Sequence, residues 1–275
     1  MQSSPILVIG ATGKTGRRVA DLLAAGGHTV RRASRNAQTR FDWEDPATWT
    51  QALSGVSAAY ITYAPDLAFP GAPEKFLMLT EMARNAGVRR LVMLAGRGEP
   101  RAEICEEIIR KSGMEYTLVR AAWFAQNFSE GFLQEAVMDG TLALPAGDVA
   151  EPFVDIDDLA EVVVAALTEP HHVGQEYEVT GPQLLTFEEA TAELSLWTGQ
   201  SLSYQAITSE QFHDALTELG GPLLADVFTE VCRQIFDGRN AKLGNGVERA
   251  LGRPPRAFSD FCARAAARGA WAKAA

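Results

Sequence analysis

The sequence predicts an α/β fold: a doubly wound parallel sheet carrying a smaller, mostly helical C-terminal lobe. Three observations predict it. Short β-branched runs alternate with helical patterns through the first two thirds, the signature of βαβ units. A glycine-rich turn follows the first of these runs directly. After Thr180-Gly181-Pro182 the patterns become helical, with one strand-like stretch at 201–207.

In order, strands are expected at 5–9, 28–33, 58–63, 89–94, 116–119 and 176–179. Asp45-Pro46 opens one helix with an N-cap aspartate and proline at the first position, and Pro73 sits near the start of another that runs to Asn85. Further helices are expected at 100–112 and, capped by Asp157 or Asp158, at 159–167. Gly26, Gly55, Gly87 and Gly113 each follow a helical pattern, where a left-handed cap is needed. In such sheets ligands bind in the crevice at the carboxyl ends of the strands.

The 275 residues suit one large α/β domain, and an apolar fraction of 47% is enough for a full-sized core. The 35 acidic against 25 basic side chains give a formal net charge of −10, which disfavours nucleic acid and anionic membranes as partners. The longest apolar stretches, such as 162–167, are far short of the roughly 20 residues that cross a bilayer, and no leader pattern is seen. Cys105, Cys232 and Cys262 form no CxxC pair, so neither a disulfide framework nor a metal site is expected, and a cytoplasmic setting fits.

The strongest chemical signal is Gly10-Ala-Thr-Gly13-Lys-Thr-Gly16, placed between a strand and an amphipathic helix. Gly10 allows a tight turn, Gly13 lets backbone approach a pyrophosphate, and Gly16 lets the helix pack on the sheet, in the manner of a Rossmann turn. The helix N-terminus adds free N–H groups and the positive end of its dipole. A triphosphate-binding P-loop fails on spacing, because the position five before Gly13 is Val8, inside the strand. At the end of the second strand no acid stands ready for a ribose 2′-hydroxyl. Ser34 and Arg35 stand there instead, with Lys14 and Arg17 expected to reach the same side, so NADP is favoured over NAD. Arg31 and Arg32 read equally well as a solvated basic edge.

These residues resemble the NmrA-like branch of the atypical short-chain dehydrogenases/reductases. More specific segments are 43–55, Tyr63-Ala-Pro-Asp66, 89–98, Trp123-Phe-Ala-Gln-Asn127-Phe-Ser-Glu130, Pro152-Phe-Val-Asp-Ile-Asp-Asp158, Asp237-Gly-Arg-Asn240 and Leu251-Gly-Arg-Pro-Pro255. Together they are similar to the ergot alkaloid biosynthesis subgroup, of agroclavine-dehydrogenase type. The resemblance implies one NAD(P)-binding domain over 1–275, with 1–122 and 153–180 mainly Rossmann core and 123–152 and 181–275 mainly substrate lobe. It implies Gly10, Thr12, Gly13, Lys14, Thr15 and Gly16 around the pyrophosphate, with Ser34 and Arg35 at the adenosine phosphate. Asp42 and Trp43 would lie near the adenine, Tyr63, Ala64 and Pro65 along the ribose, and Ala95 and Gly96 near the nicotinamide. Phe124 and Asn127 would close over the nicotinamide. Tyr63, Trp123 and Phe124 read equally well as core aromatics.

Short-chain reductases generally use a serine after the fifth strand and a YxxxK pair on the next helix, where tyrosine protonates the carbonyl oxygen. Here the serine position is Ala95, the helix at 100–112 holds no tyrosine, and Lys111 comes too late. No residue is assigned as catalytic. One reading is an oxidoreductase whose substrate is already electrophilic, a C=N or conjugated C=C/C=O group; the other is an NADP-responsive regulatory protein without turnover. Glu103, Glu106 and Glu107 with Arg110 and Lys111 read as a solvated, ion-paired face. His171 and His172 have no evident acid or cysteine beside them, and Cys105 reads as a buried helix residue. Phe124, Phe128, Phe132, Leu133, Phe212, Phe228 and Phe236 suggest a cavity for a small apolar or aromatic substrate. A homodimer is the self-assembly kept open.

Overall fold

The computed structural model describes residues 4–272. Seven strands form one parallel sheet: β1 (Ile6–Ile9), β2 (Val30–Ser34), β3 (Thr39–Arg40), β4 (Ala58–Ile61), β5 (Arg90–Gly96), β6 (Glu115–Ala121) and, after two short strands of the lobe, β9 (Gln175–Val179). Their order across the sheet is β3-β2-β1-β4-β5-β6-β9, so the chain winds outward in both directions from the β1–β4 junction. β1 and β4 are buried along their whole length, as strands covered on both faces must be.

Helices α1 (Lys14–Ala25) and α7 (Ile156–Thr168) cover one face through Val19, Leu23, Leu159 and Val163. The other face is covered by α2 (Trp49–Leu53), α3 (Ala72–Asn85) and α4 (Pro100–Lys111), which bury Trp49, Phe76, Leu79 and Ile109. The lobe begins with α5 (Asn127–Glu130), α6 (Gln134–Asp139), β7 (Thr141–Leu144) and β8 (Ala150–Glu151). It resumes after β9 with β10 (Leu185–Thr186), α8 (Phe187–Thr198), β11 (Ser203–Ala206), α9 (Ser209–Gly220) and α10 (Pro222–Ile235), and closes with α11 (Gly246–Leu251) and α12 (Phe258–Ala267). Its core centres on Phe128, Phe153, Phe187 and Phe258. Capping boxes start α8 at Thr186/Glu189 and α9 at Thr208/Gln211. α11 returns to the sheet, where Val247 packs beside Tyr177 and Val179.

Every expected strand forms, with ends moved by one to two residues. The edge strand β3 was not anticipated, because two residues cannot carry a periodicity. Nor was β7, although its alternating burial reads plainly once its parallel partner β11 is known. Two capping expectations are corrected. The left-handed residue after α1 is Gly27 (φ 80°) rather than Gly26 (φ −76°). The cap of α7 is Asp155, which accepts from Asp157 N–H, so the helix starts at Ile156. Asp158 instead lies fully buried, bound by Arg253 and Arg256. No described helix is long and apolar enough to cross a membrane.

Candidate functional site

The glycine-rich turn joins β1 to α1 beside the point where strand order reverses. Gly10 has φ +71°, and a Cβ there would meet Thr62 Cγ2 at 2.6 Å. A Cβ on Gly16 would lie 2.2 Å from the Gly10 carbonyl oxygen, so the first turn of α1 can press against the loop only without a side chain. Thr12 and Gly13 face outward. No side chain caps α1 and no acid occupies its first turn, so its leading N–H groups and the positive end of its dipole are left uncompensated by side chains.

The other turn residues divide. Thr15 is buried, its hydroxyl 3.0 Å from Tyr60 Oη, so only its backbone faces the loop. Lys14 reaches across to the lobe and donates to Asn127 Oδ1 at 2.5 Å. Burial, with Arg17 and Arg18 adding, lowers the Lys14 ammonium to about 8. Arg17 and Arg18 both bind Glu130, and Arg18 also binds Asp157 at 2.7 Å, latching α1 to α5 and α7. Lys14 and Arg17 therefore turn away from the end of β2, where they had been expected.

At that end Ser34 Oγ is buried without a hydrogen-bond partner, and Arg35 is exposed with no ion pair among the described residues. Its neighbours are engaged: Arg31 donates to the carbonyls of Ala52 and Ser54, and Arg32 to Asp21. Asp42 closes the following loop, accepting from Glu44 N–H through its carboxylate and from Trp49 Nε1 through its carbonyl. Trp43 and Tyr63, expected along adenine and ribose, have their rings in the core, stacked or tilted against Phe76 and each other. Ala64 and Pro65 are exposed, in the loop that follows β4.

The carboxyl end of β5 holds Ala95, buried, and Gly96. Next comes Arg97, which is 3% exposed and donates to Glu178 at 3.0 Å and to the Asn240 carbonyl at 2.9 Å. Asn240 returns a bond to the Arg97 carbonyl, so the Asp237–Asn240 segment is tied to the strand end. Over Gly96 sits the carboxyl of Glu99, with Asp66 from the loop after β4 close enough to affect it. Sequence reasoning missed both acids; an acid just before the proline that opens α4 was the available signal.

Phe124 is half-buried and pairs by its backbone with Val154, while Trp123 packs on Phe187 and Phe236 and belongs to the lobe core. Phe128, Leu133, Phe212 and Phe236 are buried in that core, while Phe228 is half-buried against Phe69 and Phe132 is exposed. A concavity of about 890 Å³ lies on the outer side of α3 and α4, beside Leu77, Met78 and Ile104. The acidic face of α4 also differs from expectation, because Glu106 is 1% exposed and binds both Arg110 and Arg120. Glu169 stands 3.6 and 3.7 Å from His171 and His172, an acid the sequence reading overlooked. The three cysteines are buried, with the Cys105 thiol pushed up to about 12 by burial.

The chain matches the NAD(P)H-binding family model over residues 10–170. It is 33% identical to NAD(P)H azoreductase of Xenophilus azovorans, covering 96% of this chain and 99% of that one. It is 28% identical to agroclavine dehydrogenase of Claviceps fusiformis, over 93% and 95% of the two chains. Among solved structures, the triphenylmethane reductase of Citrobacter sp. complexed with NADP(H) superposes with a TM-score of 0.74 at 22% identity, covering 95% and 99%.

Proposed function

The chain belongs to the NAD(P)H-binding family and is an oxidoreductase of the atypical short-chain dehydrogenase/reductase type, and from that premise we propose that it uses NADPH to reduce an activated C=N or conjugated C=C/C=O group. The observation that carries the cofactor preference is the pair at the end of β2. Among the described residues Ser34 Oγ is buried and unsatisfied and Arg35 has no ion pair, and the strand-end run 30–36 contains no carboxylate. A 2′-phosphate supplies the missing acceptors for both.

The remaining residues fit the rest of such a cofactor. The open N-terminus of α1 would hold the pyrophosphate through its N–H groups, with Gly13 keeping the approach clear. Lys14, held by Asn127, would add charge from the lobe side, and Ala64, Pro65 and Gly96 would flank the ribose and nicotinamide. When bound, NADPH supplies hydride. The chain then has to position an acceptor against it and keep water out.

The substrate class follows from what the strand end lacks. Ala95 offers no hydroxyl, and α4 carries neither a tyrosine nor a lysine within reach of the crevice. A plain ketone concentrates its developing charge on one oxygen, which short-chain reductases meet with the serine and tyrosine donors that Ala95 and α4 do not supply here. An iminium loses charge, and a conjugated acceptor spreads it. The relatives named as an azoreductase and as agroclavine dehydrogenase support such electron-poor acceptors. Following NADPH absorbance against cyclic iminiums, enones, azo compounds and plain ketones tests the proposal. Turnover of the first three classes well above that of ketones is expected, and fast reduction of plain ketones would overturn it.

A further inference from the structure

Resting on that reductase reading, we propose that Glu99 is the proton donor of the reaction, protonating the oxygen or nitrogen that becomes anionic when a conjugated acceptor takes up hydride. The placement is set by three neighbouring positions. Gly96 is the last residue of β5, at the carboxyl end of the sheet where the crevice opens. A Cβ on Gly96 would lie 1.7 Å from Glu99 Oε1 and 2.2 Å from its carboxyl carbon, so the carboxyl is seated directly on the bare glycine. Any other residue at 96 would displace it.

The side chain is also free. Glu99 occupies the N-cap position of α4 with extended backbone (φ −98°, ψ 106°), yet makes no cap bond. Among the described residues no cation pairs with it. The titratable groups that face it are Asp66, from the loop after β4, and Cys232, from α10. Neither supplies positive charge. Burial first and the Asp66 charge second push the Glu99 carboxyl up to about 8, so it holds its proton at neutral pH. Asp66 itself is raised by burial while accepting from Ala68 N–H at 2.8 Å, which fixes its orientation beside Glu99. Half-buried rather than sealed, Glu99 can be reloaded from solvent.

The chemistry balances with the reductant already named. The acceptor takes a hydride, with its electron pair, from NADPH at carbon, and its displaced π electrons arrive at oxygen or nitrogen. The Glu99 O–H bond breaks, an O–H or N–H bond forms on the product, and a proton taken up from solvent restores the carboxylic acid. A preformed iminium needs no such proton, because its nitrogen becomes neutral on reduction. Glu99 therefore separates two acceptor classes that the missing tyrosine–lysine pair leaves together.

The experiment compares wild type and Glu99→Gln. The ratio of kcat on a conjugated enone to kcat on a preformed cyclic iminium is expected to fall about 10²-fold to 10⁴-fold in the variant. The wild-type enone kcat should decline as pH rises through about 8, and this limb should vanish in the variant. Independently of turnover, infrared spectra of the cofactor-free protein at pH 7 should show a carboxylic-acid C=O band that Glu99→Gln removes. Equal losses on both acceptors, or no band change, would overturn the assignment and leave the reductase reading standing. A wild-type protein that binds NADPH and reduces neither acceptor would overturn both.

Discussion

Lys14 Nζ, in the first turn of α1, donates a 2.5 Å hydrogen bond to Asn127 Oδ1, at the start of α5. The bond joins the glycine-rich turn to the lobe. It also holds an ammonium in a half-buried place where two neighbouring arginines oppose its charge, which is why its titration falls to about 8.

A pyrophosphate bound beside Lys14 would reverse that balance, because a nearby anion favours the charged amine. Binding of NADPH should therefore take up protons between about pH 8 and 9, where the free protein has lost part of this charge. Affinity should weaken as pH rises through the same range. Calorimetry in buffers of different ionisation enthalpy measures the uptake, and Lys14→Met should abolish it. Proton-neutral binding by the wild type would place Lys14 outside the anion site.

Arg35→Ala should weaken NADPH binding by about 1.5 to 3 kcal/mol, roughly ten- to a hundredfold, the worth of hydrogen bonds to a charged group. NADH affinity should hardly change, since it has no 2′-phosphate to lose. Titration of both proteins with both cofactors checks this. Equal wild-type affinities for the two would refute the preference.

Gly13 and Gly16 separate binding from folding. Gly13 faces outward and an added Cβ would meet only the Gly10 carbonyl, at 3.2 Å, so Gly13→Val should block the anion position in a folded protein. Gly16→Ala would force its Cβ to 2.2 Å from that same oxygen and should destabilise the turn itself by about 1 to 3 kcal/mol. Circular dichroism melts run beside NADPH titrations distinguish the two outcomes.

Much of this site was legible in the sequence because its signals are local. Gly10, Gly13 and Gly16 lie within one turn of chain, and Ser34 and Arg35 mark a strand end that hydrophobic runs locate. What was not legible depends on contacts distant in sequence. Glu106 reads as one more charge on a solvated helix until Arg120, on the neighbouring strand, covers it. Trp43 and Tyr63 match a ligand-binding pattern, yet their rings close a core with Phe76 that only the packed fold assembles. Glu99 carried no motif, because its placement depends on the room that the missing side chain of Gly96 leaves for its carboxyl.

Glu106→Ala should be among the most damaging single changes away from the crevice. The carboxylate is 1% exposed and holds Arg120 at 2.6 Å and Arg110 at 3.0 Å, so its loss leaves Glu176 as the carboxylate that the two guanidinium groups still share. With Glu176 still compensating both arginines, the loss of this buried carboxylate costs about 2 to 4 kcal/mol, which at this chain length lowers Tm by roughly 4 to 7 °C. A differential scanning melt decides; a shift of only a degree or two would mean that solvent reaches the network.

Glu151 carries the opposite expectation. It is 2% exposed, its Oε1 has no partner, and burial raises its carboxyl to about 7 despite the partly offsetting charge of Arg97. Because the folded value lies above the unfolded value near 4.5, the native state binds more protons than the unfolded state between those limits. Stability from this group is thus fully present below about pH 4.5 and lost as pH rises through 7. Above that pH a buried, ionised carboxylate remains as a cost of up to about 3 kcal/mol. Glu151→Gln keeps the shape and removes the charge, so it should raise stability at pH 8 and change it little at pH 5. Urea titrations of both proteins at the two pH values measure the difference. A variant less stable than wild type at pH 8 would show that the Glu151 carboxylate is held by Arg97 more firmly than its burial penalises it.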